Sequence, residues 1–157
     1  MLKRNALVGA LLSFFVGLPL LAQTDDTFKI GLMNGTFDFT TDTFKIALYT
    51  NAATLNAGTT AYTADGETSG GSYVAGGQIL VVSQTPTFGG SGNTVYISFS
   101  NASWTGTINA RGALIYKSGG GDPAVCVLDF GATKTSNGSF VVEFPPATNT
   151  SAIIRLT

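Results

Sequence analysis

The residues able to do chemistry are few, and the commonest catalytic one is missing. The chain contains no histidine, which removes the side chain that most often serves as general base and as metal ligand near neutral pH. A Ser-His-Asp or Cys-His constellation is excluded. The single thiol, Cys126, lies in the run AVCVLDF between apolar neighbours with no adjacent base. It reads as a small core residue, neither nucleophile nor disulfide half. Two-carboxylate glycoside chemistry would have to draw on Asp38, Asp42, Asp65, Glu67, Asp122, Asp129 and Glu143, and no spacing singles out a pair. Asp65-Gly66-Glu67 offers oxygens to calcium but lacks the series of ligands a calcium loop supplies, so a solvated turn is the simpler reading. GGSYVAGG and KSGGGDP are glycine-rich but carry neither the lysine nor the helix start of a phosphate-binding loop. The expectation is no catalytic residue, no metal and no cofactor.

Two further sets of residues carry a bland and a sharp reading. Arg111 and Asp129 fall in the two most apolar runs, RGALIYKS and AVCVLDFG, where a charge is costly unless paired. A structural ion pair between neighbouring strands is preferred over a ligand role. Trp104, Tyr49, Tyr96 and Tyr116 offer the makings of a stacking platform, but aromatics at strand positions are more often core or cross-strand partners.

These residues must be positioned by strands. The chain has 157 residues, 44% hydrophobic and 11% charged, with 20 glycines, a size and composition that suit one domain of short strands joined by turns. With 8 Lys+Arg against 9 Asp+Glu the formal net charge is -1, and no basic cluster beyond Lys3-Arg4 marks a nucleic-acid surface. Alternating apolar positions recur in TVYISFS and SFVVEF, and SAIIRLT closes the chain as a strand. An all-β antiparallel β-sandwich, immunoglobulin-like or jelly-roll, of about seven to nine strands is expected. Its core is assigned to Phe44, Ile46, Leu48, Val95, Ile97, Phe99, Leu114, Val125, Phe140, Val142 and Ile154. NAATLNAGTTAYTADGETSGG, residues 51–71, reads as a long polar connection of turns.

One phrase occurs almost twice: TFKIGL from Thr27 and TFKIAL from Thr43. Both alternate apolar residues at the period of a strand. The second copy is taken as a strand of the domain. The first, with Phe28, Ile30 and Leu32 on one face, is taken as a candidate assembly strand: an extra edge strand, or one added to a neighbouring subunit. Asn34-Gly35 would turn a hairpin, with a bend near Thr40-Asp42. A helix over the first copy, capped by Gly35, is the competing reading. The domain division is 1–22, an apolar signal-like segment or arm; 23–41, a linking strand or hairpin; and 42–157, the β-sandwich, with residues 1–35 dispensable for folding.

Lys3-Arg4, the apolar run from Ala6 to Ala22, and polar QTDD follow the order of a secretory signal, with Ala22 as the last residue removed. A retained apolar anchor or arm is the alternative, since Gly17 and Pro19 interrupt the run and it is short for a membrane span. Contact with a membrane is expected only through residues 1–22, if they are retained.

From residue 29 to the end, the chain resembles a family of small structural proteins of tailed bacteriophages. The resemblance is carried by FKIALYT, GETSGGSYVAGG, the tryptophan ahead of ARGALIY, AVCVLDFG and the terminal AIIRL. It implies a non-enzymatic virion component, such as a head decoration or cement protein or a tail-associated part, partnered by itself or by other virion subunits as a homo-oligomer. The signal-like N-terminus departs from that pattern, because phage heads and tails assemble in the cytoplasm. It points instead to an exported subunit of a cell-surface or extracellular filament. A secreted carbohydrate-active enzyme or lectin rests on fold analogy alone.

Overall fold

A computed structural model describes residues 11–14, 23–24, 26–90 and 93–157. The described chain is all-β with one short helix, in the order β1 (Leu11–Phe14), β2 (Gln23–Thr24), α1 (Asp26–Asn34), β3 (Phe44–Tyr49), β4 (Gln78–Leu80), β5 (Val82–Phe88), β6 (Val95–Phe99), β7 (Ala102–Lys117), β8 (Ala124–Val142) and β9 (Ile154–Leu156). One sheet runs β1-β8-β7-β3-β4, with β2 also on β8, and the other runs β5-β6-β9. All pairings are antiparallel except β1 with β8.

The long β7–β8 hairpin is the spine, paired from Ala102 opposite Val142 to Tyr116 opposite Ala124 with two shifts of register between. The stretches AVCVLDF and SFVV, read as separate strands in the sequence, are the two ends of this one 19-residue β8. The ladder breaks between Ala110 and Gly112, whose partners are Lys134 and Asp129, so Arg111 stands alone opposite several residues of β8. This is an enlarged β-bulge, and it lets the two halves of the hairpin face in different directions.

Both faces of the main sheet are covered, which is why β3 is buried along almost its whole length rather than on alternate residues. Phe44, Ile46 and Leu48 share a core with Ile97, Phe99 and Ile154 of the second sheet. On the opposite face Ala47, Tyr49, Leu114, Tyr116 and Ala124 pack under Ala53, Leu55 and Tyr62 of the segment that follows β3. The long polar connection is therefore a cover. Of the expected core positions Val95 is the exception, at 37% exposed; it alternates with Ile97 and Phe99 but is the first residue of β6. The others named are buried.

The first copy of the repeated phrase is not a strand. TFKIGL lies within α1, so the assembly-strand reading of Phe28, Ile30 and Leu32 is corrected, and the helical alternative is the one observed. Phe28 is fully buried and Ile30 is 62% exposed, a separation that strand alternation forbids and helical pitch produces. The helix ends as its sequence allows. Gly35 takes a φ of 78° and the Thr36 N–H reaches back to the Gly31 carbonyl at 2.8 Å, a Schellman cap in place of the expected hairpin turn. The chain then turns at Asp38–Asp42, where the Asp38 side chain accepts the Thr40 N–H at 2.8 Å and the Asp42 N–H donates to the Asp38 carbonyl at 2.9 Å.

Phe37 and Phe39 pack with Phe28, at ring centroids 5.3 and 6.1 Å away, and Phe39 stacks on Phe44 at 4.5 Å. Helix and turn thus belong to the main core. Residues 26–41, set apart from the domain in the sequence reading, therefore pack on the same core as its strands. The signal-like segment lies outside the described residues apart from Leu11–Phe14.

Candidate functional site

The most organised polar cluster is built where β3 runs out of neighbours. Beside β3 the edge strand β4 reaches only as far as Ile46, so the backbone from Leu48 onward needs other partners. They come from the stretch GETSGGSYVAGG. The Thr68 N–H donates to the Leu48 carbonyl at 2.9 Å, and the Leu48 N–H donates to the Tyr73 hydroxyl at 2.9 Å. The Tyr73 hydroxyl in turn donates to Glu67 Oε1 at 2.5 Å, which also accepts the Gly76 N–H at 2.7 Å. Glu67 Oε2 accepts the Tyr62 hydroxyl at 2.8 Å.

One carboxylate therefore ties three points of the cover to one another and, through Tyr73, to the sheet edge. Hydrogen bonds to a charged acceptor are the stronger kind, and this one gathers three donors. The glycines of the stretch have geometric reasons to be there. A Cβ on Gly71 would lie 2.2 Å from the Thr105 carbonyl oxygen, and one on Gly77 would lie 1.8 Å from that of Ile46, so the cover is laid directly onto sheet backbone.

The tyrosines around Glu67 are held neutral. Burial, reinforced by the Glu67 carboxylate, pushes Tyr62 up to about 12; burial and the neighbouring Tyr62 do the same for Tyr116. Tyr49 and Tyr73 are raised further, again by burial first. Tyr62 stacks on Tyr116 at 4.9 Å, and Tyr116 donates to the Gly76 carbonyl at 2.6 Å. The cluster is a set of protonated donors spent on fixed acceptors, which is the chemistry of a clamp. It was legible only as a possible calcium turn, and the signal that was available is the bracketing of Glu67 by Tyr62 and Tyr73.

The other candidates are placed as follows. The Arg111 guanidinium contacts both carboxylate oxygens of Asp129, but in the bulge and not in an apolar interior: the side chains are 34% and 66% exposed. A pair so exposed contributes about 0 to 1 kcal/mol. With Tyr49, Ala53, Leu55, Gly112 and Val127 among its neighbours, the pair lines an open cleft of about 260 Å³. Trp104, Tyr49 and Tyr116 are at most 3% exposed and form no platform. Cys126 is fully buried and unpaired, and burial raises its thiol to about 12.

Asp42 is pushed up by burial, but the Lys117 ammonium at 2.8 Å and the Asp38 N–H together hold its carboxyl below the usual range. Among the described residues no group of three or more His, Cys, Asp or Glu is placed to hold a metal, and no helix is long and apolar enough to cross a membrane.

Comparison with known protein families, with curated proteins and with solved structures finds no match to this chain.

Proposed function

We propose that this chain is a structural subunit of a tailed-phage virion, a head decoration or cement protein or a tail-associated part, built as an antiparallel β-sandwich of immunoglobulin-like or jelly-roll type. The observation that carries the reading is where the distinctive residues of the phage-like motifs are used. Glu67 and Tyr73 of GETSGGSYVAGG clamp the cover to the sheet edge, and Trp104 and Cys126 are core. These motifs build a rigid scaffold, and a rigid scaffold that repeats itself through its outer surfaces is what a shell component requires. The test is mass spectrometry of gradient-purified phage particles from a host carrying the gene. The expected result is the chain in stoichiometric amount with Met1 intact; its absence from particles overturns the reading.

A second reading is favoured by one observation, the order Lys3-Arg4, apolar Ala6 to Ala22, polar QTDD. On it the chain is an exported subunit of a cell-surface or extracellular filament. A mature protein beginning at Gln23 in the external fraction supports it against the first.

A further inference from the structure

Nearly every charged side chain of the described residues is engaged. Lys29 holds Asp26, Arg111 holds Asp129 and Lys117 holds Asp42; Arg155 donates to the Thr150 carbonyl. Asp38 accepts from Thr40, Asp122 accepts the Gly119 N–H, Glu67 sits in its clamp, and Lys134 and Glu143 have partners as well. Among the described residues two are left over, Lys45 and Asp65, one of each sign.

They share one side of the molecule. On β3, Lys45 points with Ala47 and Tyr49 to the face that lies under the cover, and Asp65 is exposed in that cover, between Tyr62 and Glu67. They make no ion pair with each other in the chain. Lys45 is only partly exposed, its stem covered along the sheet while the ammonium has no acidic partner within the chain, which leaves it free to take one from outside. Next to it the edge of the sheet presents apolar surface. Ile79, the register partner of Lys45, is 63% exposed, and Val74 in the turn that precedes β4 is 69% exposed.

We infer that this side is a two-fold contact between copies of the chain, in which Lys45 of each copy meets Asp65 of the other and Val74 and Ile79 lie between them. An isologous contact uses the same patch twice, so that i meets j and j meets i; a patch with one unspent cation, one unspent anion and an apolar surface beside the cation is self-complementary in that sense. Opposite charges set its register, and the aliphatic side chains supply the surface removed from water. The inference rests on the self-assembly contained in the proposed function and names the surface that does it.

The experiment is a charge exchange read by sedimentation velocity on the full chain. Wild type is expected to form a dimer that weakens as sodium chloride rises. Lys45→Glu and Asp65→Lys are each expected to weaken it by about tenfold or more, since each sets like charges together, and Lys45→Glu/Asp65→Lys restores it. Lys45→Met and Asp65→Asn, which remove a charge without adding one, give intermediate loss, and thermal melts separate weakened association from weakened folding. Single reversals that dimerise like wild type overturn this surface while leaving self-assembly standing. A double reversal no better than the singles overturns the pairing, and a wild-type chain that is monomeric at every concentration overturns the contact altogether. Recovery of the chain from phage particles is independent of all three outcomes.

Discussion

TFKIGL and TFKIAL differ in one residue and fold differently, one as the middle of α1 and the other as β3. Their phenylalanines end up equally buried, Phe28 at 0% and Phe44 at 1%, while their isoleucines part company, Ile30 at 62% and Ile46 at 0%. The differing residue is central to the contrast. In α1 the missing methyl of Gly31 makes the notch filled by Phe37: a Cβ there would stand 2.3 Å from Phe37 Cε2. In β3 the corresponding Ala47 is itself fully buried under the cover. Local propensity does not decide between the two outcomes: alanine is the better helix former by about 1 kcal/mol, yet the copy that carries it is the strand and the copy with glycine is the helix, so the surroundings decide. The first copy is followed by Asn-Gly and a Schellman cap, and the second is flanked by two strands that need a partner.

The comparison can be broken most severely at the phenylalanines. Phe28→Ala and Phe44→Ala should each cost about 3 to 5 kcal/mol in chemical denaturation. If Phe28→Ala is silent while Phe44→Ala is not, the helix is not docked on the core. Gly31→Ala comes next. The gain in helix propensity of about 1 kcal/mol is set against a methyl driven into the Phe37 ring, and overpacking of about 1 to 3 kcal/mol should win. A stabilised Gly31→Ala protein would mean that Phe37 yields freely.

Acid tests the strut between the copies, where Lys117 donates to the Thr36 carbonyl at 2.7 Å and pairs with Asp42 at 2.8 Å. The folded-state carboxyl of Asp42 titrates below the ordinary aspartate value of 3.8, so its contribution is present above that pH and is lost as pH falls through the folded value. Thermal melts between pH 5 and pH 2 should fall less steeply for Asp42→Asn than for wild type, and parallel curves would remove Asp42 from the acid response. The smallest effect is expected at Ile30→Gln, within about 0.5 kcal/mol of wild type because the residue faces solvent. The same change at Ile46 should be severe, and equal costs at the two positions would restore the strand reading of the first copy.

How far the sequence could be read follows from the same pair. Period-two alternation was a sound guide where a residue's environment is a sheet on both sides, as for Phe44, Ile46, Leu48, Ile97, Phe99 and Ile154. It misled at Phe28, Ile30 and Leu32 because a run of six apolar-alternating residues fits one helical turn and a half about as well, and Gly35 was the cue with the right sign. Val95 continued a genuine pattern to the first residue of β6, where burial gives out, a tertiary fact with no sequence mark. The Glu67 cluster was hidden for a similar reason: its role depends on β4 stopping at Ile46, which leaves Leu48 to be satisfied by Tyr73. The charges of Arg111 and Asp129 were placed in apolar runs correctly, but the bulge that turns both side chains outward is set by pairing across strands.

The buried thiol of Cys126 makes the protein its own clock. With its sulfur wholly enclosed and burial holding the proton on to about pH 12, a small alkylating reagent at neutral pH has neither access nor a thiolate to attack. Cys126 belongs to the main core, so modification must wait for that core to open. Once the reagent outruns reclosure, the labelling rate becomes the rate at which the core opens. The mass of one adduct per chain then times the mechanical life of the fold, with no probe introduced into it.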